Sequence, residues 1–211
     1  MIRLLQLFPE HLDLNGDAGN LLILQRRAQW GGLSVTIEKV GLGAGLPQER
    51  PDVVLIGHGS SAAWRQAYPA LKALIPAIEQ WVQQGTQVIA INSGFAALHG
   101  LLPALPSTIE RLDERFSNFV VEDFDGHVLA GYKNTDLLLE NLLLSENLIG
   151  SALHGPLLAK NLWLADRILG RVVALRPEVR AAQGEVDGKR FSQVAALAKA
   201  AIELATEIAA N

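Results

Sequence analysis

His154, in the stretch SALHGPLL (151–158), and the polar turn Asn92-Ser93, in VIAINSGF (88–95), are the residues best placed by type and spacing to do chemistry. A histidine just past an apolar run and ahead of a Gly-Pro turn is positioned to act as a general base; it could equally be a turn histidine bonded to backbone. The β-branched run before Asn92 breaks into Asn-Ser-Gly and then into a helix-compatible segment, the outline of an elbow that presents a nucleophile. A carboxamide cannot attack a carbonyl, so Asn92 marks either an ordinary strand end or a site without its attacking group. Ser93 is displaced by one residue, and Ile91 takes the first glycine position of a GxSxG frame. A Ser93–His154 hydrolase or peptidase, its base oriented by an acid such as Asp17, stays open, as does a non-enzymatic module that binds a small ligand or a protein. The sequence contains no cysteine, so neither a thioester intermediate nor a thiolate metal site is available.

Two more loops carry glycine and polar residues. In GDAGN (16–20), Gly16 and Gly19 permit a tight turn, Asp17 is placed to cap a helix starting near Gly19, and Asn20 follows; the loop reads as simple capping or as a functional turn. In GHGSS (57–61), the amides flanking Gly57, His58 and Gly59 could form an oxyanion pocket that the His58 side chain would narrow. No GxGxxG or GxxxxGK[ST] motif supports nucleotide binding. His11, His58, His99, His127 and His154 are scattered without metal-ligand spacing, so no metal and no cofactor is expected. Trp30, Trp64, Trp81 and Trp163 fall in helix-like segments and read as packing or partner-face residues.

The elements that must position these loops follow from apolar patterning. Short runs at 2–8, 33–40, 53–56 and 88–91 read as strands, and 18–30 and 70–84 carry helical spacing. This alternation predicts a mostly parallel sheet with helices on both faces and chemistry at the carboxyl ends of the strands. From residue 116, alternating runs around Asp125-Gly126 predict a hairpin added antiparallel to that sheet, and 148–153 predicts a further strand. An Ala-rich helix is expected over about 193–210, closing the fold or facing a partner. With 211 residues, 49% hydrophobic and 19% charged, the chain is expected to be one globular domain. A net charge of −4 without a basic run argues against nucleic acid. The apolar N-terminal run is too short for a secretory signal and no long uncharged span occurs, so a cytoplasmic protein is expected.

Together, LDLNGDAGNLLILQRRAQWGG, DVVLIGHGSS and GSALHGPLLAKN resemble the GatD-type, CobB/CobQ-like class I glutamine amidotransferase subunits, in the family's order and over residues 3–170. The resemblance implies a flavodoxin-like class I glutamine amidotransferase fold. It also implies a heterodimer with a Mur-ligase-like, MurT-type subunit that amidates lipid II during peptidoglycan synthesis. His154 matches the family's general base and the GHG loop its oxyanion loop. VIAINSGFAALHG matches the nucleophile elbow, where the family pattern is Cys-Gly-Gly, an aromatic residue and Gln. Here Asn92, Ser93, Gly94, Phe95 and Ala96 stand instead, and GYKNTDLLL (131–139) holds no substrate-binding arginine. These departures imply a pseudo-glutaminase that keeps its partner and has lost its thiol.

Overall fold

The computed structural model describes residues 1–103 and 105–209. In chain order its elements are β1 (Ile2–Leu7), α1 (Gly19–Trp30), β2 (Val35–Val40), β3 (Val53–Ile56), α2 (Ser61–Gln83), β4 (Gln87–Ile91), α3 (Ser93–Leu98), β5 (Arg111–Phe124), β6 (His127–Leu137), β7 (Leu143–Leu144), β8 (Leu148–Ser151), β9 (Leu153–His154), α4 (Leu157–Lys160), α5 (Leu162–Leu175), α6 (Pro177–Ala181) and α7 (Gly188–Ala209). Strands β2, β1, β3, β4 and β8 lie side by side in parallel, and β7 closes one edge antiparallel.

The unbroken apolar runs of β3 and β4 are explained by burial on both faces, as parallel strands under helices require. Because side chains alternate, Val53, Leu55, Ile89 and Ile91 pack with Leu21, Leu24 and Ala28 of α1 and Leu164 and Ile168 of α5. Val54, Ile56, Val88 and Ala90 face the other way, onto Ala67, Leu71 and Ile78 of α2 and Phe95 of α3. The strand order reverses between β1 and β3, so the crevice of this sheet opens beside the loops after those strands.

Four expectations need correction. Helix α2 begins at Ser61, nine residues before the sequence reading placed it, and runs through Pro69 and Pro76. Each proline removes a helix hydrogen bond, yet Ala67, Leu71, Ile75 and Ile78 form one buried stripe across both, and the Ser60 hydroxyl accepts from the Ala63 amide at the N-terminus. The hairpin forms, with Asp125 at φ 53° and Gly126 at φ 79° in its turn, but it starts at Arg111 and pairs with β9 in a separate three-stranded sheet. What separates the sheets is a break in the expected strand 148–153: the Ser151 hydroxyl donates to Asn141 O (2.5 Å) and accepts from Leu153 N (3.0 Å), turning the chain after β8. The C-terminal helix starts at Gly188, where the Asp187 carboxylate accepts from Arg190 N (3.2 Å); residue 210 of the expected range lies outside the described residues. No described helix is long and apolar enough to cross a membrane.

Candidate functional site

Strand β4 ends in Asn92, which turns directly into α3 with φ 46° and ψ −108°. A non-glycine residue with positive φ outside the left-handed helical well is strained, and such strain persists only where neighbours hold it. Here the carboxamide supplies the hold: Nδ2 donates to Asn134 O (3.1 Å) and Ala152 O (3.3 Å) and lies 2.7 Å from His154 Nε2. Two carbonyl neighbours fix that atom as the nitrogen, so Nε2 accepts and the imidazole proton is on Nδ1. Nδ1 is 2.7 Å from Asn15 Nδ2; with the ring proton on Nδ1 the Asn15 amide is assigned the flipped orientation, its oxygen accepting from Nδ1. His154 is buried, and burial pushes its pKa down against the opposing pull of Asn134 O, which keeps the ring neutral. The geometry is that of a base held between an orienting amide and the tip of an elbow.

Ser93 does not serve this base. Its hydroxyl lies on the opposite side, 2.8 Å from His58 Nδ1, and accepts from Gly59 N (3.0 Å) and Trp64 Nε1 (2.7 Å). A hydroxyl has two lone pairs and one proton; here the N–H groups of Gly59 and Trp64 fill the lone pairs, and the proton goes to His58. No lone pair remains for attack, so the Ser93–His154 pairing considered from sequence is replaced by a Ser93–His58–Trp64 tie. His58 is pushed down to a pKa of about 4 by burial, then by the neighbouring His154 and Arg115, so it too is neutral. The two imidazoles meet edge to face with centroids 4.9 Å apart.

Asp17 also departs from its expected role. Helix α1 has no side-chain cap; Asp13 Oδ1 accepts from Ala18 N (2.8 Å), while Asp17 reaches across to accept from His58 N (2.6 Å). Asp17 is fully buried and its Oδ1 has no partner among the described residues, so burial raises its pKa to about 6 despite the His58 amide. Two amides of the GHG loop are thereby engaged by the chain itself, His58 N by Asp17 and Gly59 N by Ser93. An oxyanion would find neither free.

The rest of GDAGN is a clamp on the histidine segment. Asn20, fully buried, donates to Asp17 O (2.9 Å) and accepts from Leu158 N (2.9 Å). A Cβ on Gly19 would collide with Pro156, so glycine is what lets α1 approach the HGP turn. Gly16, with φ 72°, makes the turn that aims Asp17 inward.

Above Asn92 opens a cavity of about 840 Å³ lined by Asn15, His58, Ser93, Trp64, Tyr68 and Ala96, among others. Arginine is not missing from it, as residues 131–139 alone suggested: Arg65 of α2 and Arg111 and Arg115 of β5 line its walls. Sequence reasoning overlooked them because the long hairpin carries them to the site from outside any motif; their basic spacing on one strand was the only signal. Trp64 is a cavity wall as well as a packing residue. His11, His99 and His127 do not line the cavity, and no group of three or more metal-type side chains gathers among the described residues.

The parallel sheet, its strand order and the elbow after β4 define the fold of the class I glutamine amidotransferases. The structure of PurLQS from Thermotoga maritima overlays 82% of this chain and 98% of its own with TM-score 0.55 and 12% identity. A glutamine amidotransferase from Thermotoga maritima overlays 84% of this chain and 83% of its own with TM-score 0.53 and 14% identity. Among curated proteins, the chain is 24% identical over 194 residues to the lipid II isoglutaminyl synthase (glutamine-hydrolyzing) subunit GatD of Staphylococcus aureus (strain N315), covering 76% of this chain and 79% of that protein. It is likewise 24% identical over 205 residues to the GatD subunit of Streptococcus pneumoniae (strain ATCC BAA-255 / R6), covering 80% and 79%. No protein-family model matches the chain.

Proposed function

We propose that this chain is a GatD-like amidotransferase-type subunit, a single domain, that does not hydrolyse glutamine and acts in the cytoplasm through a Mur-ligase-like, MurT-type partner. Asn92 stands at the place of the family's cysteine. The partner brings ATP and the acceptor, and the pair serves a lipid II amidation of the kind named for the curated relatives. One observation carries the reading: the Asn92 carboxamide fills the elbow and is bonded to the base, His154 Nε2, at 2.7 Å. Without a thiolate there is no thioester route, and a base alone leaves weak residual catalysis. The amides that would steady the oxyanion are occupied as well.

The test is ammonia release from glutamine by the purified chain, alone and after co-expression with a Mur-ligase-like protein. The expected result is co-purification of the two chains in a one-to-one complex and no ammonia above the buffer rate in either sample. Steady glutamine turnover by the chain overturns the non-hydrolytic part, and failure to associate with any such ligase overturns the partner part.

A further inference from the structure

The cavity above Asn92 gathers positive charge in a chain whose net charge is −4. Its charged lining is Arg65, Arg111 and Arg115 against one acid, Asp136, so three minus one leaves two positive charges. Arg111 Nη1 is 3.1 Å from Asp136, and Arg115 Nη1 donates to the neutral Asn134 Oδ1 at 3.1 Å. No ion pair neutralises Arg65 or Arg115 among the described residues. The floor below them is uncharged: Asn92, Ser93 and the neutral rings of His58 and His154. Arg115 is close enough to that floor to disfavour protonation of His58, after burial and His154.

The arginines stand on two walls, Arg65 on α2 and Arg111 and Arg115 on β5. In the same lining the Trp64 indole is fixed by its bond to Ser93 Oγ (2.7 Å), and Tyr68 and Leu137 add apolar surface. A cavity of about 840 Å³ with an apolar middle and guanidiniums at separate points suits a small elongated ligand with an anionic group at each end. A compact dianion such as phosphate would match one wall and leave the charge on the other unmet. The contacts that engage the His58 and Gly59 amides do not involve the guanidiniums.

We propose that this cavity binds a small dicarboxylate intact, held between Arg65 and the Arg111–Arg115 pair with its carbon chain against Trp64. The proposal rests on the non-hydrolytic reading of the site, since it treats the cavity as a receptor for an unreacted ligand.

The experiment is a titration of the full chain with glutarate, inorganic phosphate and glutamine, followed by calorimetry and by tryptophan fluorescence. Glutarate is expected to bind one per chain, more tightly than either other probe, and to weaken as salt rises. Arg65→Gln and Arg115→Gln should each weaken it by about tenfold, the loss of one charge-assisted contact. Both side chains are exposed, so the variants should unfold at the temperature of the parent chain. Absence of glutarate saturation up to about 10 mM, an affinity unchanged in both variants, or phosphate or glutamine binding as tightly as glutarate would each overturn the proposal. Ammonia release and ligase association are read separately, so a failure here leaves the non-hydrolytic reading standing, and glutamine turnover would remove that reading whatever glutarate does.

Discussion

Asn92 is held at the tip of the elbow by three hydrogen-bonding contacts. Its carboxamide donates to His154, whose acceptor nitrogen, in the Nδ1–H tautomer opposite Asn15, is turned to it, where a thiol would give up its proton. The oxyanion side is closed separately, through Ser93 and Asp17. These two closures give different consequences on mutation. Asn92→Cys should place a thiol beside Nε2 and make it quickly alkylated by iodoacetamide, yet ammonia release should stay near background because Gly59 N is still filled by Ser93 Oγ. Adding Ser93→Gly to that variant should raise turnover by about 100-fold, the usual worth of one oxyanion donor. Equal, substantial turnover by the single and double variants would show that the Ser93 tie does not obstruct the site.

The elements that carry these residues are locked by buried polar clamps as much as by apolar packing. Asn20 joins the loop before α1 to the start of α4, Gly19 admits Pro156, and Asn161 bonds both polar groups of Ala130 on the hairpin while donating to Leu157 O. The GDAGN and HGP segments are thus two halves of one joint. Asn20→Ala leaves Leu158 N without its acceptor in a dry interior, while Asp17 O keeps the residue 20 amide, and should destabilise the fold by about 2 kcal/mol, read as a lower urea midpoint with an unchanged slope. A loss under about 0.5 kcal/mol would show that the joint is held by packing alone.

Across the molecule, the buried Arg27 guanidinium ties three helices together. It donates to Asp166 of α5 at 2.7 and 2.5 Å and lies 4.7 Å from the centroid of the Phe191 ring of α7. The titrating groups are likewise shared between distant segments, and their signs oppose. His58 has a folded pKa of about 4, below its ordinary 6.5, so the native state binds fewer protons than the unfolded chain in that window and stability falls as pH drops through it. His154, also lowered, acts in the same direction. Asp17, raised from 3.8 to about 6, acts against them, since its native form holds a proton that the unfolded form releases. The His58 loss sets in below its ordinary 6.5 and His154 adds to it, whereas the Asp17 gain sets in only below about 6, so the thermal midpoint should fall between about pH 7 and pH 5, and His58→Gln should flatten that fall. A midpoint that rises on acidification would mean that Asp17 dominates.

Much of this was legible from the residues in order. Short unbroken apolar runs give parallel strands, Asp125-Gly126 gives a hairpin turn, and the absence of cysteine rules out thiol chemistry, because each depends on local sterics or on which atoms are present. What only the tertiary structure decided was direction and company: that Ser93 turns to His58, that Asp17 ties a loop instead of capping a helix, that the hairpin leaves the main sheet, and that arginines from β5 reach the cavity. Those outcomes depend on distances between segments far apart in the chain, which no local pattern encodes. They are set when buried donors and acceptors must find partners away from water.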